Sequence, residues 1–518
     1  MDNTAKKIEE LEAKCSVLEH EKSELRAEVN WYREQLRLDK ARRFAKSSEQ
    51  IGPEQVQLFN EAEAEAKPSA PEPAMEEITY KRRKQKGKRD EQLKDLPVET
   101  IEYRLSPEEQ ICTTCNCDLH EMSQEIRREI KIIPAQTIEV RHVTYIYSCR
   151  RCEKEGESST IVTAQAPAPV LPGSIASPSA VSHIMTQKYA DAMPLYRQEK
   201  ALARQGVELS RQTMANWVIQ CSQRWLEPLY ELMHEQLLQE KILFADETPL
   251  QVLREPDRPA SSKSYMWLYR NGGDRPANIL YDYRTTRASK HPIAFLNGFG
   301  GYLHVDGYGG YDSIPAVTLV GCFAHARRKY TNALKALPDE NSDAAVVAKE
   351  GLAFCNQLFS LEREFKNLTP EDRYRMRLIR SRPVLDKFYE WLNYQRPRVL
   401  PKSSFGTAIN YCLKQGEKLQ AFLLDGRLEL DNNRAERSIK PFVIGRKNYL
   451  FSNTPRGAKA SATVYSLIES AKENGLNPFE YLKYLFEKMP NADLQDKDQL
   501  KDLLPWSNTL PAELQIKK

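Results

Sequence analysis

Three acidic residues far apart in the sequence have the setting of metal ligands, and the first is Asp246. It follows the apolar run 242–244, which predicts a strand buried in a sheet, and Pro249 prevents a helix from starting at once. We therefore expect the strand to end at Asp246 and Glu247. A carboxylate at the end of a buried strand is held rigidly and faces solvent on one side, which suits a metal ligand. An isolated Asp there could equally start a turn, so the interpretation depends on the residues downstream.

Asp306 is the second candidate ligand. Leu303 and Val305 are typical of a strand, and Asp306 ends that strand immediately before Gly307. Three predicted strands, a short helix and then alternating strands and helices follow the order of a ribonuclease-H-like sheet. In that order Asp246 lies on the first strand and Asp306 on the fourth, so the two strands are expected to be neighbours.

Glu436 is the third candidate, and it is predicted to lie on a helix. Asn432 is a plausible N-cap, and Glu436 then falls on the same helical face as Asn433. Two acids on strands and one on a helix make a specific constellation, although each is weak evidence alone. Four basic residues near Glu436 are expected to contact DNA phosphates, the alternative being surface charge or salt bridges: Arg437, Lys440, Arg446 and Lys447.

Four cysteines form a second chemical group. Cys112 and Cys115 make one CxxC pair, and Cys149 and Cys152 make another. Each pair can direct two sulfurs at one ion, so the group predicts a zinc ribbon with a structural Zn²⁺. Cys117 could compete as a ligand. The chain has 10 cysteines, and those outside this group are scattered, a distribution that does not favour a disulfide framework.

The composition indicates a soluble protein of several domains. The chain has 518 residues, 41% of them hydrophobic and 29% charged, with a net charge of +4. Its mean hydropathy is −0.63. No run has the length of a membrane helix, and the N-terminus lacks the apolar core of a signal peptide. We therefore expect a cytoplasmic protein that does not enter a membrane.

The N-terminal region predicts self-association. Apolar residues from Ile8 to Leu36 recur at alternating steps of three and four, which favours a coiled coil over a helix that packs on its own chain. A linker without large apolar side chains follows. It ends in the run KRRKQKGKR at 81–89, which is typical of a solvated tail but also suits contact with phosphates.

Two short amphipathic segments between 180 and 225 predict a helix-turn-helix. Gly206 separates them, and Ser210 is a natural N-cap for the second. Arg211, Gln212 and Asn216 would then be free to face a DNA groove. A helical hairpin that binds no DNA is an equally good interpretation of this pattern. Further along, residues 331–425 are predicted to form an inserted helical module.

The motifs around these residues resemble the insertion-sequence 66 family of bacterial transposases, which belongs to the DDE class. The matching segments are ADETP, HVDGYGGYD, CFAHARRKY, DNNRAERSIKP, GRKNYLFS and SLIESAKENGLNPFEYL. The resemblance implies that Asp246, Asp306 and Glu436 bind two Mg²⁺ (or Mn²⁺) ions. It also implies that water exposes a 3′-OH at each element end and that this 3′-OH then attacks target DNA. Double-stranded DNA, further copies of the chain and small accessory proteins are the expected partners.

Together the patterns and the resemblance predict a multidomain α/β protein. Its expected parts are a coiled coil (1–45), a flexible linker (46–95), a zinc-binding domain (96–165), a helix-turn-helix region (175–238), a ribonuclease-H-like catalytic domain (239–470, with the helical insertion at 331–425) and a C-terminal helical tail (471–518). Two rival functions share these features. One is a non-catalytic DNA-binding regulator or domesticated remnant, against which the presence of all three acids argues. The other is a nuclease without strand transfer.

Overall fold

The computed structural model describes residues 136–148, 161–273, 275–337 and 343–516, together with the single residues 14, 22, 29 and 100. The four predicted zinc ligands, the basic run at 81–89 and nearly all of the predicted coiled coil lie outside these described residues. The α/β character is confirmed by the part that is described. A short antiparallel hairpin, β1 (Ile146–Ser148) and β2 (Ile161–Thr163), precedes the main body.

Five strands form the central mixed sheet. They are β3 (Ile242–Gln251), β4 (Lys263–Asn271), β5 (Ile279–Arg284), β6 (Gly301–His304) and β7 (Val317–Val320). Their spatial order is β5-β4-β3-β6-β7. β4 runs antiparallel to both β3 and β5, whereas β6 runs parallel to β3 and β7 runs parallel to β6. The predicted adjacency of the first and fourth strands is confirmed.

The described helices surround and extend this sheet. In chain order they are α1 (Pro178–Tyr189), α2 (Leu195–Arg204), α3 (Arg211–Cys221), α4 (Glu227–Leu237), α5 (Lys290–Phe295), α6 (Phe323–Ala336), α7 (Asp343–Glu364), α8 (Pro370–Met376), α9 (Arg382–Gln395), α10 (Ser404–Lys414), α11 (Gly416–Gln420), α12 (Asn433–Tyr449), α13 (Pro455–Glu473), α14 (Pro478–Lys488) and α15 (Lys497–Asp502). None of these helices is long and apolar enough to cross a lipid bilayer.

The prediction that β3 ends at Asp246 and Glu247 is wrong. The strand continues to Gln251, because β4 pairs with it along this whole stretch. Its other neighbour, β6, pairs only with residues 242–244. Pro249 is tolerated because this part of β3 has lost its parallel neighbour, and a proline is compatible with such an edge. Asp246 therefore lies in the part of β3 that has no paired strand on its β6 side.

The predicted helix-turn-helix segments are confirmed as helices α2 and α3. Gly206 lies between them with φ of +83°, a conformation that glycine adopts readily. The Ser210 side chain accepts a hydrogen bond from the Thr213 N–H at 3.1 Å, so its predicted N-cap role is confirmed. A π-helical turn, Ser222–Leu226, joins α3 to α4.

These N-terminal helices share a core with the C-terminal ones. The Tyr189 ring of α1 lies edge-on to the Tyr465 ring of α13, with centroids 5.0 Å apart. Ser222 donates a hydrogen bond to the Ala460 carbonyl at 3.4 Å, and α1 also packs against α14. Residues from the predicted helix-turn-helix region and from the predicted tail thus belong to one buried cluster with the sheet.

The described part of residues 331–425 consists mainly of helices joined by short connections, as predicted. At the start of α8, the Thr369 hydroxyl accepts the Asp372 N–H at 3.2 Å, with Pro370 as the first helical residue. The module contacts the sheet through α10 and α11. Tyr411 donates to the Asp306 carbonyl at 3.0 Å, and Gln415 donates to the Gly307 carbonyl at 3.3 Å. The insertion therefore supports the backbone of the segment that carries Asp306.

Candidate active site

The register of two parallel strands brings Asp246 and Asp306 to the same level of the sheet. Phe244 of β3 is paired with His304 of β6. Asp246 lies two residues after Phe244, and Asp306 lies two residues after His304. Neighbouring strands lie about 4.8 Å apart, so their side chains at one level are close. Asp306 is held by its own turn, because one of its carboxylate oxygens accepts the Tyr308 N–H at 2.8 Å.

Glu436 joins these two acids because the start of α12 is tied to β3. The Asn432 side chain donates a hydrogen bond to the Ala245 carbonyl at 2.8 Å, directly before Asp246. Asn432 is the N-cap residue by position, as predicted, but its side chain makes no capping hydrogen bond. Asp431 takes that role and accepts the Asn433 N–H at 3.0 Å. A side chain expected to cap the helix instead anchors it to the sheet.

The pKa of Asp246 shows that the acids share one electrostatic environment. Burial raises this pKa well above its usual range, and the negative charges of Glu247, Asp306 and Glu436 raise it further. The hydrogen bond from the Glu247 N–H, at 2.8 Å, acts in the opposite direction. Carboxylates crowded in this way are stabilised by a bound cation.

Two residues beside Glu436 were not among the predicted site residues. His325 and Arg328 lie on α6, with His325 Nδ1 at 3.6 Å from one Glu436 oxygen and Arg328 Nη2 at 3.5 Å from the other. Burial lowers the pKa of His325, and the charge of Glu436 opposes this shift. Both residues are in the motif CFAHARRKY. The sequence signal that could have identified them is a His in the first turn of the helix that follows the last strand of the sheet.

The ligand atoms around Glu436 suit a divalent ion. His325 Nδ1 and Glu436 Oε1 are shielded from solvent, and neither has a hydrogen-bond partner among the described residues. Cys322 Sγ lies within 4.8 Å of both. Its sulfur accepts the Asn432 N–H at 3.2 Å, however, and burial raises the pKa of its thiol to about 12. Cys322 is therefore a neutral thiol that connects the start of α6 to the start of α12.

Glu247, next to Asp246, has a separate set of partners. It forms an ion pair with Arg287, whose Nε lies 2.8 Å from its carboxylate, and Tyr311 donates to its other oxygen at 2.5 Å. The Arg287 guanidinium also lies over the Tyr308 ring, 3.7 Å from its centroid. Tyr308 and Tyr311 lie two and five residues after Asp306 in the chain. Glu247 and Arg287 therefore connect β3 to the segment that carries Asp306.

The predicted DNA-contacting residues are in different surroundings. On α3, Arg211, Gln212 and Asn216 are all exposed, as a role in binding a groove requires. On α12, Arg437 and Lys447 are exposed and Lys440 is half-buried. Arg446 is half-buried too and donates to the Thr248 hydroxyl at 3.2 Å, so it contributes to packing α12 against β3. That these seven residues contact DNA stays a prediction.

Comparison with known families agrees with this architecture. The model described as "Transposase IS66 family" matches residues 173–460, and the "IS66 C-terminal element" matches 466–506. The "zinc-finger binding domain of transposase IS66" matches 109–153, which spans all four predicted zinc ligands. A model described as "Transposase C of IS166 homeodomain" matches 31–101. The protein is thus a transposase by class, with a zinc-binding domain and regions typical of DNA binding.

The chain belongs to the IS66 family of transposases, as the sequence motifs predicted. It is also similar to proteins of Sinorhizobium fredii (strain NBRC 101917 / NGR234). The uncharacterized protein y4jD is 30% identical over 417 residues, which cover 78% of this chain and 79% of that protein. The uncharacterized protein y4hP is 28% identical over 422 residues, which cover 76% and 73% respectively.

Proposed function

We propose that this transposase cleaves the ends of its element to expose 3′-OH groups and joins them to target DNA at one ribonuclease-H-like site. In this proposal Asp246, Asp306 and Glu436 hold two divalent ions, Mg²⁺ or Mn²⁺. When bound, such ions lower the pKa of the attacking hydroxyl and stabilise the charge on the leaving oxygen. The protein's part is to position the three carboxylates and to receive the DNA.

The proposal rests on one observation. The parallel register of β3 and β6 sets Asp246 and Asp306 at one level, and the start of α12 is tied to the Ala245 carbonyl. Asp246 lies on β3, Glu436 lies on α12, and Asp306 lies in the turn directly after β6. Burial and mutual repulsion raise the pKa of Asp246, which is a cost to the fold that a bound cation would offset. Perturbed carboxylates of this kind are typical of functional sites.

DNA recognition is proposed to lie mainly in the N-terminal half. The zinc-binding domain, the basic run at 81–89 and α3 would bind the element ends, while the basic residues of α12 would hold phosphates near the cleaved bond. The predicted coiled coil at 1–45 would bring two or more copies together, and small accessory proteins encoded alongside would assist. Affinity for DNA should fall steeply as salt is raised, because basic side chains release counterions from the phosphates.

The test uses the full-length chain with labelled DNA carrying the inverted repeats that flank its gene. Asp246→Asn, Asp306→Asn and Glu436→Gln should each abolish cleavage and strand transfer while leaving end binding nearly unchanged. The triple variant should be little worse than any single one, because the residues act as a unit. Asp312→Asn is the matched control: it lies in the same motif as Asp306 but pairs with Lys418 at 2.6 Å, and it should remain active.

The alternatives predict different results in the same assay. A regulator or domesticated remnant would bind the ends but neither cut nor join them with any divalent ion. A nuclease without strand transfer would cut the ends but never join a pre-cleaved 3′-OH to target DNA. Full activity of Glu436→Gln would show that the third acid lies elsewhere.

A further inference from the structure

His325 Nδ1 and Glu436 Oε1 form an unusual pair of facing atoms. They lie 3.6 Å apart, which is longer than a hydrogen bond between nitrogen and oxygen. Both are shielded from solvent and lack a hydrogen-bond partner within the described ranges. Burying a polar atom without a hydrogen-bond partner is costly, so such atoms normally have a partner or a function.

The separation of the two atoms matches that of ligands on one metal ion. Divalent ions of the Mg²⁺, Mn²⁺ and Zn²⁺ type lie about 2.0–2.2 Å from nitrogen and carboxylate oxygen. From that distance, adjacent ligands are about 2.8–3.1 Å apart in octahedral geometry and about 3.3–3.6 Å apart in tetrahedral geometry. The observed 3.6 Å lies at the upper end of these values and needs only a small side-chain adjustment.

The surrounding contacts keep both atoms in place. Phe323, at the start of α6, donates its N–H to the Leu430 carbonyl at 3.0 Å, which joins the His325 helix to the segment before α12. Arg328 lies against the other oxygen of Glu436 at 3.5 Å and is 56% exposed, so it neutralises the carboxylate from the solvent side. The oxygen nearer His325 is thus left for a different partner.

We propose that His325 is a metal ligand, and that its Nδ1 and the Oε1 of Glu436 bind the same divalent ion. This inference rests on the metal site of the proposed function and adds a nitrogen to its predicted all-carboxylate ligand set. Imidazole suits transition metals better than Mg²⁺, which prefers oxygen ligands. The ion held by Glu436 is therefore expected to differ in metal preference from an ion held by Asp246 and Asp306 alone.

The experiment uses Mn²⁺ as the probe on the full-length protein. Electron spin-echo modulation detects a nitrogen bonded to Mn²⁺, and the unlabelled protein should show the ¹⁴N pattern. Protein labelled with ¹⁵N only at histidine should show the ¹⁵N pattern instead. This comparison requires no substitution, so it is independent of any effect of a variant on folding.

Three variants then assign the nitrogen. His325→Gln should lose the nitrogen signal but still bind Mn²⁺ through the carboxylates, at least tenfold more weakly, since even loss of an outer-shell partner costs that much. Glu436→Gln should also lose the signal, because the two residues share the ion. His183→Gln, which alters an exposed histidine on α1, should retain both the signal and the affinity.

The possible outcomes separate this inference from the function beneath it. Mn²⁺ that binds in an Asp246-dependent way without a nitrogen signal overturns the role of His325 and leaves the proposed carboxylate site intact. Loss of the signal in His183→Gln rather than His325→Gln overturns the assignment as well. If Asp246→Asn binds Mn²⁺ as tightly as the unsubstituted protein does, the proposed metal site itself is refuted.

Discussion

The ion pair between Arg287 and Glu247 should be needed for cleavage although neither residue is a predicted metal ligand. The Glu247 side chain is 1% exposed and that of Arg287 is 39% exposed. Removing the guanidinium in Arg287→Gln leaves a buried carboxylate with only the hydrogen bond from Tyr311. It also removes the cation from the face of the Tyr308 ring, and both tyrosines belong to the segment that follows Asp306.

The expected loss of stability lies between two limits. Breaking a fully buried pair from one side costs about 3–5 kcal/mol, whereas an exposed pair contributes about 0–1 kcal/mol. Because Arg287 is partly exposed, we expect a loss of about 2–3 kcal/mol in the free energy of unfolding. We expect a larger effect on cleavage, about tenfold or more, because a small displacement of a positioned group can lower a rate up to about 100-fold.

A matched control comes from the pair Lys472–Glu469 on α13. Its side chains are 36% and 7% exposed, with the nitrogen 2.9 Å from the carboxylate, so Lys472→Gln makes a similar change away from the site. Urea unfolding should show a comparable or somewhat smaller loss in Lys472→Gln, with cleavage of labelled ends unchanged under conditions where both variants are folded. If Arg287→Gln cleaves as fast as the unsubstituted protein there, the pair does not position Asp306.

The remaining predictions concern other parts of the chain. Burial raises the pKa of Asp431 to about 6, above the value of about 3.9 in an unfolded chain, so its ionisation lowers stability as the pH rises through this range. Asp431→Asn, which keeps a good capping side chain, should therefore raise the free energy of unfolding at pH 7, and this gain should vanish near pH 4. A gain that does not depend on pH would refute this cause. Residues 95–160 should bind one Zn²⁺ through the four predicted cysteines, and metal analysis that finds no zinc would disprove it. Deleting residues 1–40 should lower the number of copies per particle in sedimentation at micromolar concentration, and an unchanged number of copies would count against the coiled coil. Replacing Arg211, Gln212 and Asn216 together by Ala should remove the preference for the element ends over random DNA, provided that circular dichroism shows the fold unchanged.

Much of the local structure could be predicted from the sequence. The N-caps Ser210 and Thr369 were predictable because a cap acts on an N–H only three residues away. The strands and helices followed from residue periodicity, and their order predicted that the strands of Asp246 and Asp306 are neighbours. The family membership followed from motifs that are long and specific. In each case the signal lies within a short stretch of chain.

The features that complete the candidate site were decided by contacts between distant parts of the chain. The Asn432 side chain was expected to cap its helix, but it donates to Ala245, which lies far back on β3. The partners of Glu247, the approach of His325 to Glu436 and the support of Asp306 by the helical module depend likewise on how the elements pack. The length of β3 depended on β4, which pairs with it beyond the end of β6. Periodicity shows which face of an element is buried, but only the packed fold shows which atom it meets there.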